Sequence, residues 1–168
     1  MIKSPKGDFL NFREEKMIKR ILDEMYLRKI CRRIRRRMHE LKEKGEKITP
    51  EEQNYYVVYM YYMCMENGGL RRFYTGAFQK LVPYAEMCLG FVGAREHKII
   101  YNEFIEANHI DVYDLSLYDQ ATEEDWKIMM DTHHFDEYDV IYESLTPLPK
   151  ILKAYVKRHK DSFKKNSK

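Results

Sequence analysis

The sequence predicts an all-α protein. Apolar residues recur at three- and four-residue spacing through most of the chain. Helix-start and helix-stop residues punctuate it, and no segment carries convincing two-residue alternation. The architecture expected is one multi-helix globular domain over 48–168, preceded by a long basic helical arm over 1–47.

Residues 12–44 lack Pro and Gly and read as helix throughout. The apolar stripe changes face midway. Ile18, Ile21, Leu22 and Met25 share one face, whereas Leu27, Ile30, Cys31, Ile34, Met38 and Leu41 share another, rotated by roughly 150° at about 100° per residue. Either the helix breaks near Tyr26–Arg28, or it is long and touches two partners. Gly45 supplies the stop. Thr49-Pro50-Glu51-Glu52 then starts a helix: Thr49 caps, Pro50 suits the first position and Glu52 completes a capping box. This helix runs to Glu66 and ends at Asn67-Gly68-Gly69, a structural C-cap motif. A short turn is expected over Leu70–Gly76. A helix starting near Leu81–Pro83 should bury Leu81, Tyr84, Met87, Cys88 and Phe91 and end at Gly93. The next, from Ala94 to about Asn108, should bury Ile99, Ile100, Phe104 and Ile105. His109–Gln120 reads as an ordered acidic loop. Thr122 starts a helix through Trp126, Met129 and Met130. A short segment follows over Phe135–Leu145, with Asp136 expected as a cap and Tyr138 packed on Tyr142. Thr146-Pro147 opens the last helix, with Leu148, Ile151, Leu152, Tyr155, Val156 and Phe163 on its apolar face.

Charge is sorted along the chain. The net +3 resolves into +8 over residues 1–47, zero over 48–95, −12 over 96–145 and +7 over 146–168. Such sorting speaks of surface fields and partners. The ends either neutralise the acidic block within the molecule or present a separate surface of opposite sign.

Several functions lack support. The apolar run Tyr55–Met65 is eleven residues long, against the roughly 20 a spanning helix needs, so no membrane span is expected. The N-terminus lacks an apolar signal core. Cys31, Cys64 and Cys88 are far apart and sit in apolar helical patterns, which favours buried thiols in a reducing cytoplasm. His133-His134 with Asp131 and Asp136 fits no metal-ligand spacing, and no nucleophile pattern accompanies it. His39, His97, His109 and His159 are isolated. No nucleotide-binding glycine motif occurs, so no catalytic residue, cofactor or metal is assigned.

Two surfaces stand out. Asp111, Asp114, Asp119, Glu123, Glu124, Asp125, Asp136, Glu137 and Asp139 form an acidic set that fits no EF-hand loop. It reads equally as a solvated face or a partner surface. Arg28, Lys29, Arg32, Arg33, Arg35, Arg36 and Arg37 lie mostly opposite the apolar stripe of their helix. Clustered Arg and Lys on one face suit phosphates, although Tyr26 is the only nearby aromatic for base stacking. Docking of this basic face on the chain's own acidic segment is an equal alternative.

From Thr49 to about residue 160 the chain resembles a bacterial helical family named after a DNA-mimic protein. The landmarks are the Tyr-rich helix leading into Glu66-Asn67-Gly68-Gly69-Leu70, the pair Phe73-Tyr74, Gly93-Ala94, and Phe135-Asp136-Glu137-Tyr138-Asp139 with Tyr142. The family usually has Asn after the aromatic pair, where this chain has Thr75-Gly76. The resemblance implies a helical fold without known enzymatic activity and, for the founding type, an acidic surface that imitates DNA phosphates. The expected function is therefore a non-enzymatic interaction protein whose 96–145 surface binds a basic or DNA-binding protein. The alternative is a nucleic-acid-binding protein that uses the 28–37 helix and the C-terminal lysines. A homodimer is left open.

Overall fold

The computed structural model describes residues 6–119 and 122–164. Among these it has eight α-helices and no strand. They are α1 (Lys6–Lys42), α2 (Pro50–Glu66), α3 (Gly69–Thr75), α4 (Val82–Val92), α5 (Arg95–Ala107), α6 (Glu123–His133), α7 (Phe135–Ser144) and α8 (Leu148–Arg158).

α2 is the axis of the domain. It is apolar on nearly every side, and a helix of that kind is stable only when surrounded. α1, α3, α4 and α8 all pack on it. Its start follows the expected chemistry. Thr49 Oγ1 accepts from the Glu52 amide, and the Glu52 carboxylate accepts from the Thr49 amide. Glu52 is fully buried, and its second oxygen takes a 2.6 Å bond from Arg37 of α1. The Tyr55 hydroxyl donates to the Leu27 carbonyl at 2.9 Å, a second tie between α2 and α1.

α1 is one unbroken helix. Leu27, Ile30, Cys31 and Ile34 on its second half are buried against α2 and α8. Met17, Ile18, Ile21, Leu22 and Met25 on its first half are 49–63% exposed. The change of face at Tyr26–Arg28 therefore marks where the helix meets the body, and Arg20–Glu66 and Lys153–Asp23 ion pairs lie just before that point.

Three local expectations are corrected. Leu70–Gly76 is largely helix, because Leu70, Phe73 and Tyr74 repeat at helical spacing and all reach the core. On α4 the buried residues are Val82, Ala85, Cys88, Leu89 and Val92, whereas Tyr84, Met87 and Phe91 are exposed. α4 is apolar all round, so periodicity does not select a face. The small Ala85 and Cys88 let it approach α2 closely, where bulky Tyr84 and Met87 would hold it away. On α5 the buried residues are His97, Tyr101 and Phe104, while Ile99 is exposed. α4 ends at Gly93, whose left-handed φ of 89° lets the Ala94 amide turn back to the Leu89 carbonyl. Phe163 lies beyond the end of α8 yet is buried against Tyr55 and Tyr155.

Candidate functional site

The landmark residues converge inside the molecule. Tyr61 of α2 meets Phe73, Tyr101 and Tyr142 edge-on. Tyr74 meets Tyr101, Phe104 and Tyr118, and Phe104 meets Phe135 and Tyr138. Tyr138 and Tyr142 thus pack on different partners. Burial pushes the tyrosines of this cluster above their ordinary pKa, Tyr118 to about 12, so they stay neutral at physiological pH.

Two landmarks touch directly. The Leu70 amide at the start of α3 donates to Asp139 Oδ1 at 2.8 Å. Gly69 has φ +69°, and a Cβ there would sit 2.5 Å from the Asp139 Cγ. Asp139 is therefore half-buried and structural, and it leaves the acidic surface set. Its pKa is raised, chiefly by that burial, against the lowering effect of the Leu70 bond. Asn67 closes α2 through its own Nδ2, which donates to the Met63 carbonyl at 2.7 Å, while the positive φ values fall on Gly68 and Gly69. Asp136 is not a cap. His134, at φ 50°, holds the cap position of α7, and Asp136 lies within the first turn.

The other acids are exposed. Asp111 and Asp114 accept amides two residues on, which orders the loop. Glu123, Glu124 and Asp125 occupy the first turn of α6, where Asp125 closes a capping box with Thr122. Asp136 and Glu137 occupy the first turn of α7, and Glu137 pairs with His134 at 3.3 Å. Both positions favour negative charge at a helix start. The length of α6, about 1.5 Å per residue, sets the two groups about 16 Å apart. Among the described residues no ion pair joins the acids of 96–145 to α1 or α8.

The basic residues divide. Arg37 is committed to Glu52. Arg35 faces a groove of about 330 Å³ beside α2, with Arg72 across it. Lys29, Arg33 and Arg36 line an open groove of about 1270 Å³ between α1 and α8, with Lys153, Lys157 and Lys160 on the α8 side. Arg28 and Arg32 border both grooves. Lys165 and Lys168 of the basic C-terminus lie outside the described residues.

No group of three or more potential metal ligands occurs among the described residues. His133 stacks on Phe135 and bonds the Tyr118 hydroxyl at 2.9 Å, a packing role. The three thiols are buried and unpaired, and desolvation raises Cys31 to about 12 and Cys64 and Cys88 to about 11. They remain protonated and poorly nucleophilic. No described helix is long and apolar enough to cross a membrane.

The molecule is thus an all-helical domain with an aromatic core and surface charge sorted by sign. The chain belongs to the DMP19-like protein family, whose model matches residues 46–159. No curated protein and no solved structure matches the chain. The match excludes the whole of α1, including Lys29, Arg33 and Arg36.

Proposed function

We propose that this protein is a non-enzymatic bacterial interaction protein, acting in the cytoplasm, whose acidic 96–145 surface binds a basic or DNA-binding protein. One observation carries the reading. Among the described residues the −12 block makes no ion pair to α1 or α8. Exposed acids without such pairs attract a basic partner and reject other acidic molecules. Membership of the DMP19-like family supports the DNA-binding class of partner.

Competition tests this directly. A basic protein captured on the immobilised chain at low salt should be displaced by duplex DNA, because mimicry requires a shared site. Capture should weaken when Glu123, Glu124 and Asp136 are changed to Gln or Asn, and it should fall steeply with salt. A captured protein that duplex DNA fails to displace, or that survives about 1 M salt where the screening length is about 3 Å, would refute the proposal.

A further inference from the structure

The α1–α8 groove joins basic residues more than a hundred positions apart in the sequence. We propose that it is a second, separate binding site that takes the phosphodiester backbone of a single-stranded nucleic acid.

Five features support this occupant. Lys29 and Arg36 on one wall and Lys157 and Lys160 on the other are all exposed. Among the described residues, the only carboxylate lining the groove, Asp23, is already paired with Lys153. Arg33 also lines the groove, with its Nε buried and lacking a hydrogen-bond partner. The terminal N–H groups of such a guanidinium, not its buried Nε, suit phosphate oxygens. The bases on α1 recur about once per turn, about 5.4 Å, which suits a regularly repeated monoanion better than the irregular charges of an acidic protein. At about 1270 Å³ the groove also exceeds the roughly 300–1,000 Å³ of small-molecule sites.

Shape separates a strand from the other polyanions. Of the groove's apolar lining, Ile30, Val156 and Phe163 are 4–6% exposed, whereas Met25 is 63% exposed. A flat bilayer does not enter such a recess, and a rigid duplex meets only its rims. A single strand can lie along the groove. Tyr26, 43% exposed and also lining the groove, offers a ring for base stacking.

The test uses the full chain and a fluorescein-labelled twelve-nucleotide oligothymidine, followed by anisotropy from about 50 mM salt upward, a range that favours phosphate contacts. Binding should weaken with salt at a log–log slope of about −0.7 per phosphate contact. K29A/R36A should reduce the magnitude of the slope by about 1.4, as should K157A/K160A on the other wall. K80A/R95A removes the same charge outside the groove and should leave the slope unchanged. Circular dichroism establishes that each variant is folded, and two variant pairs on opposite walls guard against one failing to fold. Absence of binding at about 50 mM salt overturns the site. So does equal weakening by K80A/R95A. Tighter binding to a duplex, or binding to phosphatidylserine vesicles alone, overturns the single-strand assignment. Gln or Asn at Glu123, Glu124 and Asp136 should not weaken oligonucleotide binding, so this site and the acidic partner surface stand or fall separately.

Discussion

Gly69→Ala tests how the two halves of the family pattern are joined. Residue 69 sits at φ +69°, and its missing side chain gives Asp139 room to reach the Leu70 amide at 2.8 Å. An alanine there costs about 1–2 kcal/mol for the left-handed backbone. It also displaces the carboxylate, and a hydrogen bond to a charged group contributes about 1.5–3 kcal/mol. Because Asp139 is only half-buried, the lower part of that range applies. The expected loss is about 2.5–4 kcal/mol, a large share of the roughly 5–15 kcal/mol typical of a domain. Asp139→Ala alone removes the same bond and should cost about 1.5–2 kcal/mol. Since either change breaks the one contact, the double variant should lose no more than Gly69→Ala alone, a coupling of about 1.5–2 kcal/mol. Urea melts at pH 7.5 by far-ultraviolet circular dichroism give all four stabilities. Simple additivity, or a Gly69→Ala loss below about 0.5 kcal/mol, would show that the contact does not hold α3 to α7.

Other outcomes follow from burial and charge. Glu52→Ala leaves Arg37 without its partner and removes a helix cap, and should cost about 3–5 kcal/mol in a denaturant melt; a loss below about 1 kcal/mol would mean the pair behaves as a surface ion pair. Ile34→Ala should cost about 2–5 kcal/mol, whereas Leu22→Gln on the exposed half of the same helix should stay within about 0.5 kcal/mol. Equal losses would indicate that the first half of α1 is covered. His97 is buried with its Nε2–H donated to the Thr146 carbonyl at 2.8 Å and its Nδ1 unpartnered. Desolvation depresses its pKa below the ordinary 6.5. The unfolded chain therefore binds this proton more readily. The stability held by the neutral ring is complete above about pH 6.5 and is lost as pH falls through the depressed value. His97→Gln should flatten the decline in melting temperature below about pH 6.5; an unchanged profile would remove His97 from the acid response.

The helical class, the start of α2 and the stops at Gly45 and Gly93 were legible from residue order alone. They depend on contacts within a few positions, such as Thr49 with Glu52. The uniformly apolar α2 likewise announced a surrounded helix. Faces were harder to read. α4 presents apolar residues in every direction, and which side turned inward depended on how closely Ala85 and Cys88 let it approach α2. Asp139 could not be told from its acidic neighbours, because its partner amide lies 69 positions away.

Charge shows the same division. The sequence by itself determined how much charge of each sign the chain carries and in which segments, since those are sums over residues. Only the tertiary structure decided where the signs go. The packing of α1 on α2 and α8 committed Arg37 to Glu52 and brought Lys29, Arg33 and Arg36 opposite Lys153, Lys157 and Lys160, while Arg71 of α3 came to lie over Trp126 of α6 and beside Asp139 of α7. The physical reason is that Coulomb interaction depends on distance through space, and distance along the chain bounds it only for residues that share a turn.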